Sequence, residues 1–252
     1  GEASDFARKR LHVILAERLA ALLADEGDEA GGGANGRPAC ATGDSEGGRR
    51  PGEVPLGLLC RALRDAFVKT DDEFCQCTSH VSGSTAVVVV CTGQYCVVGN
   101  AGDSRAYLWR EGRALELSVD HKPDRPDEHA RICQAGGFVA RGRVLHSLAV
   151  SRALGDREYK QVSNDDSDSA LHFKAPLVTA EPEIRVCRVA AGDELLLACD
   201  GLWEVMSAET AFNYLCKAGV AQKPQRAVRQ LVVAAEEEYK STDNITAVYV
   251  KL

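Results

Sequence analysis

Apolar residues recur at helical spacing over Ala3–Ala24, where Phe6, Leu11, Ile14, Leu15, Leu19, Leu22 and Leu23 share one face. Ser4 is placed to cap that helix, because its hydroxyl can accept from an early helical N–H. The stretch Asp25–Gly52 is rich in Gly, Ala and Asp and carries no period, so it reads as a long flexible surface insertion. A second helix is predicted from about Pro55 to Phe74. Leu58, Leu59, Ala62, Leu63, Ala66 and Phe67 form its buried face, and Pro55 suits a first helical turn.

After Gly83 the pattern changes to that of strands. Thr85–Cys91 is a continuous β-branched run and reads as a buried strand. Tyr95–Gly99, Arg105–Trp109 and Ala114–Leu117 follow, separated by turn pairs such as Thr92-Gly93 and Glu111-Gly112. Asp127–Ala135 is a short helix ended by Gly136-Gly137, and Asn164–Ser169 is a polar acidic loop. Ile184–Val189 and Glu194–Cys199 are strands joined at Gly192-Asp193. Helices over Ala208–Lys217 and Pro224–Tyr239 precede a last strand, Asn244–Lys251. This order predicts an α+β fold with antiparallel sheets covered by helices.

Composition narrows the classes. The chain has 252 residues, 45% apolar and 27% charged, enough for one sizeable core. No apolar run approaches the roughly 20 residues that span a bilayer, so no membrane segment is expected. A net charge of −7 argues against a general nucleic-acid binder and suits an acidic metal site. The 10 cysteines are scattered, several within apolar strands, with no C-x-x-C pair; they read as reduced buried thiols in a reducing compartment. Cys75, Cys77 and His80 lack a fourth ligand and standard zinc spacing.

Two aspartates stand at apparent strand ends. In Ala198-Cys199-Asp200-Gly201-Leu202-Trp203-Glu204, a hydrophobic strand ends in a carboxylate followed by glycine. A carboxylate there is costly unless it is paired or holds a metal, and equally it can cap the next helix. Ser241-Thr242-Asp243-Asn244-Ile245-Thr246 places another acid before the final strand, either as a turn residue or as a second ligand to a hard cation. Asp103 lies in Gly99-Asn100-Ala101-Gly102-Asp103-Ser104-Arg105, a turn between strands and a further acidic candidate.

These segments fall in a series. Gly83-Ser84-Thr85-Ala86, the Gly99–Arg105 run, Asp120-His121-Lys122-Pro123, Arg131 with Ala135-Gly136-Gly137, and Ala149-Val150-Ser151-Arg152-Ala153-Leu154-Gly155-Asp156 come first. Glu181-Pro182-Glu183, Cys199-Asp200-Gly201-Leu202-Trp203 and Asp243-Asn244-Ile245-Thr246 follow. In this order they resemble the motifs of the protein phosphatase 2C family, closest to plant-like members. The resemblance implies two packed antiparallel β-sheets flanked by helices, in a single domain over residues 1–252. It implies dephosphorylation of phosphoserine and phosphothreonine in proteins by a metal-activated water, with two Mg²⁺ or Mn²⁺ ions and in some relatives a third. Asp200 and Asp243 match metal ligands, and Asp103 matches a ligand of the third ion. Glu204 stands where relatives often carry the partner aspartate of that site, one methylene longer. The segment from about Asp120 to Val144 resembles a flap that influences substrate choice. His146 replaces a common glycine, either filling space near the cleft or as a tolerated surface change.

The same resemblance leaves an expectation about what precedes Gly1. Relatives begin with strands and an Asp-Gly-His-Gly-Gly motif that supplies the bridging aspartate and the general acid. The expectation is therefore of no catalytic side chain within this chain, and of an enzyme whose start is absent. The rival is a pseudophosphatase, a phosphoprotein-binding or regulatory module that keeps the fold without the chemistry. Phosphoprotein substrates, a monomeric state and an intracellular location, cytoplasmic or nuclear, complete the expectations.

Overall fold

The structure, a computed structural model, describes residues 1–29, 54–162, 173–217 and 223–252. Helix α1 (Glu2–Glu29) and helix α2 (Leu56–Cys77) pack side by side. Ser4 lies inside the first turn of α1 rather than capping it, because the helix already begins at Glu2. The expected insertion also starts late: residues 25–29 continue the helix, and the remainder lies outside the described residues, as does the expected Asn164–Ser169 loop.

One sheet contains β2 (Ala86–Thr92), β3 (Tyr95–Ala101) and β9 (Glu183–Arg188), in the order β2-β3-β9. The other contains β4 (Arg105–Arg110), β5 (Arg113–Glu116), β10 (Glu194–Ala198) and β11 (Ala247–Lys251), in the order β11-β10-β4-β5. All these pairings are antiparallel. Side chains alternate between the two faces of each strand. Cys96 and Val98 from β3 meet Ala106 and Leu108 from β4 and Leu195 from β10 in the layer between the sheets. The alternate residues Val97 and Ala101 face Leu11, Leu59, Leu63 and Phe67 of α1 and α2. On the far side, Leu196, Ala198 and Tyr249 meet Phe212, Leu215 and Leu231 of α5 (Ala208–Lys217) and α6 (Pro224–Glu237). The result is helices, sheet, sheet, helices, as the resemblance implied. Sheets covered on both faces explain why the strands read as unbroken apolar runs. A fully buried leucine or phenylalanine at such a position contributes about 1.5–3 kcal/mol.

One strand differs from its reading. Thr85–Cys91 was expected to be buried, yet β2 is an edge strand paired only with β3 among the described residues, and its side chains are half-buried or exposed. β-Branched residues suit a pleated surface whether or not a second neighbour covers it, so the run alone does not distinguish edge from centre.

The short strands β1 (Gly83–Ser84) and β8 (Leu154–Gly155) pair below α2. Asp71 of α2 accepts from the Gly155 N–H at 2.6 Å and from Lys160 Nζ at 2.7 Å. Next to this junction Asp156 adopts φ +50° and lays its carboxylate over Gly83, where an added Cβ would stand 2.0 Å from Oδ2. Burial pushes the Asp156 carboxyl up to about 6; Lys160 pulls the other way, and Glu158 and Asp71 add to the rise. The folded state therefore holds a proton that the unfolded state has released between about pH 4 and 6, and stability falls as pH rises through that window. Asparagine tolerates the left-handed backbone, so Asp156→Asn removes the cost without straining the turn. The variant is expected to be more stable at pH 7 by on the order of 1 kcal/mol, after allowing for partial exposure, and equal to wild type near pH 4. Denaturant unfolding across pH 4–8 checks this; a gain independent of pH would show that the carboxylate's charge is not its cause.

Candidate metal site

The strand register brings the candidate carboxylates to one place. Ala198, the last residue of β10, pairs with Arg105, the first of β4, and with Ala247, the first of β11. Three chain segments therefore leave the same end of one sheet. Asp103 lies two residues before Arg105, Asp200 two residues after Ala198, and Asp243 four residues before Ala247. Asp200 opens the short helix α4 (Asp200–Trp203), and Glu204 closes it one turn later, donating its N–H to the Asp200 carbonyl at 2.8 Å.

The glycine after Asp200 has a specific reason. A Cβ on Gly201 would stand 2.4 Å from the Asn244 carbonyl oxygen, so only glycine admits the approach of the two backbones. Four further contacts staple them. Cys199 donates its N–H to Thr246 O at 3.1 Å and its thiol to Asn244 O at 3.2 Å. Thr246 N–H reaches Cys199 Sγ at 3.2 Å, and Ser241 Oγ donates to Gly201 O at 2.6 Å. Because Asn244 and Thr246 are held in this way, the last strand begins at Ala247 rather than Asn244. Trp203 anchors α4 from beneath, donating Nε1–H to Ala198 O at 2.8 Å and meeting Tyr107 edge-on.

Electrostatics reports the same convergence. Burial raises the Asp200 carboxyl, and the like charges of Asp103, Asp243 and Glu204 raise it further, against the lowering effect of the Gly201 N–H. The other three predicted ligands thus all act on Asp200. Their donors are carboxylate oxygens, which suit hard cations such as Mg²⁺ and Mn²⁺. Among the described residues, no group of three or more His, Cys, Asp or Glu side chains is already arranged to enclose an ion. The carboxylates are instead engaged locally. Asp200 Oδ1 accepts from Gly201 N–H at 3.0 Å, Asp243 Oδ1 accepts from Asn244 N–H at 2.7 Å, and Asp103, which is buried, is ion-paired with Lys122.

Sequence reasoning missed the groups that position this end of the sheet. Lys122 stands in the Asp120-His121-Lys122-Pro123 motif, but its pairing with Asp103, 19 residues earlier, depends on the fold. Arg105 holds Asp120 through two hydrogen bonds of 2.7 and 2.8 Å. Buried Asn100 donates Nδ2–H to Gly102 O and Val119 O, fixing the Asp103 loop against the Asp120 segment. A cavity of about 560 Å³ opens beside Glu204, lined by Arg105, Tyr107, Glu116 and Trp203 among others.

The expected flap contains α3 (Pro126–Gln134) and a two-stranded ribbon, β6 (Val139–Ala140) with β7 (Arg143–Val144). Buried Glu128 on α3 accepts from Arg152 at 2.7 and 3.0 Å and from Arg131 at 2.9 Å. Fully buried His121 lies beside this group; burial, then the Arg152 and Arg125 charges, push its imidazole down to about 4. His146 is exposed, sits at φ +64° and packs its ring edge against Phe138. The left-handed backbone explains why glycine suits that position. His80, the candidate zinc residue, is paired with Glu2 at 3.0 Å instead.

The family model for protein phosphatase 2C matches residues 2–245. The chain belongs to that family. Two curated relatives show the range: protein phosphatase 2C homolog 2 of Aspergillus fumigatus is 41% identical over 67% of this chain and 39% of its own. Probable protein phosphatase 2C 59 of Arabidopsis thaliana is 41% identical over 75% of this chain and 57% of its own. The chain thus spans between about two fifths and three fifths of the length of these protein phosphatase 2C relatives. Among solved structures, a serine-threonine phosphatase 2C from Toxoplasma gondii superposes with a TM-score of 0.67, at 25% identity, over 98% of this chain and 81% of that one. The α+β sandwich is therefore that of protein phosphatase 2C. No helix among the described residues is long and apolar enough to cross a membrane.

Proposed function

We propose that the protein is a metal-dependent phosphatase acting on phosphoserine and phosphothreonine in proteins, and that Asp200, Asp243, Asp103 and Glu204 are metal ligands. The observation that carries this reading is the register of β4, β10 and β11, which delivers three of the acids to one sheet end, with Glu204 one helical turn away. Lys122 pairs with Asp103 alone, and the like charge left at Asp200, Asp243 and Glu204 favours a cation that binds there. Divalent ions, two and in this reading a third, supply a lowered water pKa and neutralisation of phosphate charge when bound.

The chain's own residues have definable parts. Gly201 allows the Asp200 and Asp243 segments to touch. Lys122 holds the Asp103 carboxylate and ties the flap-like segment, about residues 120–144, to the site. That segment is the part of the chain that influences which phosphorylated substrate is taken. None of the described side chains is assigned as general acid.

The test is hydrolysis of a phosphothreonine peptide by the intact protein, with Mn²⁺ or Mg²⁺ and then with EDTA. Release of phosphate that requires the ion supports the proposal. Hydrolysis unaffected by EDTA overturns the metal role. Ion and phosphopeptide binding without turnover, in the intact protein, would instead make it a phosphoprotein-binding module.

A further inference from the structure

Three cysteines lie in line across the β2-β3-β9 sheet, at the opposite end of β3 from Asp103. Cys91 pairs with Cys96, and Cys96 with Cys187, so their side chains share the face that looks toward the second sheet. Their exposures differ: Cys91 is exposed, Cys96 is fully buried, and Cys187 is in between. The sulfurs of Cys91 and Cys96 are 2.6 Å apart, inside normal non-bonded contact. The two thiols therefore lie within bonding reach of each other without a change in strand pairing.

The hairpin explains why Cys91 and Cys96 form the close pair. Thr92 and Tyr95 close a two-residue turn, Gly93-Gln94, with Gly93 at φ +52°. The closing pair exchanges hydrogen bonds, so the next pair, Cys91 with Cys96, is the non-hydrogen-bonded kind, in which side chains approach most closely. The Cys96 backbone groups then point to β9, which makes Cys96 with Cys187 the wider pair. Three thiols in line therefore reduce to one poised pair.

We propose that Cys91 and Cys96 form a reversible disulfide when the protein meets a peroxide, so that the β2–β3 hairpin carries a redox-sensitive staple. Exposed Cys91 takes an oxygen from the peroxide, becoming a sulfenic acid, and the rest of hydrogen peroxide leaves as water. The Cys96 sulfur then attacks the Cys91 sulfur. The S–O bond breaks, and the oxygen leaves as a second water with the Cys96 proton. The two thiols lose two electrons and the peroxide gains them. A dithiol reductant reverses the bond by exchange. Burial keeps Cys96 a thiol and shields it from peroxide, so Cys91 reacts first and Cys96 resolves. The hairpin lies roughly 20 Å along the chain from the carboxylate end of the sheet, so closure is expected to pin the edge strand without altering the metal site.

The test is graded hydrogen peroxide on the intact wild-type protein, then alkylation under denaturing conditions and fragment mass spectrometry. The expected result is loss of ~2 Da and of both alkylation sites within the peptide carrying Cys91 and Cys96, restored by dithiothreitol. It should appear at lower peroxide than any sulfinic acid on the exposed Cys77, Cys133 or Cys216. Cys91→Ser should abolish the cross-link, and Cys187→Ser should leave it intact. A bond from Cys96 to Cys187, or irreversible oxidation of Cys91 with Cys96 still alkylated, would overturn the proposal. The wild-type measurement stands even if a variant fails to fold.

Discussion

Asp200→Asn is expected to lower the affinity for Mn²⁺ by more than about 100-fold, the upper end of what loss of a supporting residue around a metal ligand costs. At an ion concentration that saturates the wild type, such a loss corresponds to about 2.7 kcal/mol less ligand stabilisation. It would be read as a smaller metal-induced rise in Tm, of roughly 5–11 °C. The metal-free protein should move the other way. Burial and the charges of Asp103, Asp243 and Glu204 all disfavour the Asp200 carboxylate, so replacing it with a neutral amide relieves that cost and raises the metal-free Tm slightly. A merely structural aspartate would not produce this reversal of sign. If the variant shows the wild-type metal-induced shift, Asp200 is not a ligand, and the proposed site fails at its centre.

Glu128→Ala is expected to destabilise the protein by about 3–5 kcal/mol, because it removes the shared carboxylate and leaves guanidinium groups uncompensated. Arg152 and Arg131 bond it directly, and Arg125 stands 3.7 Å away. Arg131 also donates to Ser151 O, and Arg152 to Glu181 O, so the glutamate organises several segments rather than one pair. Burial alone would raise its carboxyl, but the hydrogen bonds from Arg152, Ser151 and Arg131 bring it down to about 2. The sign follows from that lowering. Its stabilisation is complete above about pH 4.5 and is lost as pH falls toward 2. His121 adds to acid sensitivity over a higher window, since its imidazole must take up a proton in the unfolded state as pH falls from about 6.5 to about 4. Urea unfolding at pH 7 and at pH 3 checks the size and the pH dependence of the Glu128 effect: the wild-type advantage over Glu128→Ala should shrink at pH 3. A difference in unfolding free energy below about 1 kcal/mol at pH 7 would mean the arginines re-pair with water or other acids at little cost.

The helices and strands were legible from period alone, because amphipathic spacing depends only on which face each element buries. Leu11 and Ile14 on α1, and Leu59 and Phe67 on α2, all lie in the core that spacing predicted. Errors fell at ends and edges. The strand after Asp243 starts later because hydrogen bonds to Cys199 hold Asn244 and Thr246, and β2 is half-exposed because no second neighbour covers it among the described residues. Such facts depend on a partner segment far away in sequence.

By itself the sequence determined the fold class, the family and the identity of the four acids, since motif order and periodicity are properties of the chain. Tertiary structure decided what those acids do to one another. Only the antiparallel register of β4, β10 and β11 makes Asp103, Asp200 and Asp243 neighbours, and only the Gly201–Asn244 contact shows why glycine must follow Asp200. It likewise turned Lys122 from a motif letter into the counter-ion of Asp103, and scattered cysteines into one close pair at Cys91 and Cys96. The reason is physical: charge and sulfur chemistry act over a few ångströms, and those distances are set by which strands pair, not by spacing along the chain.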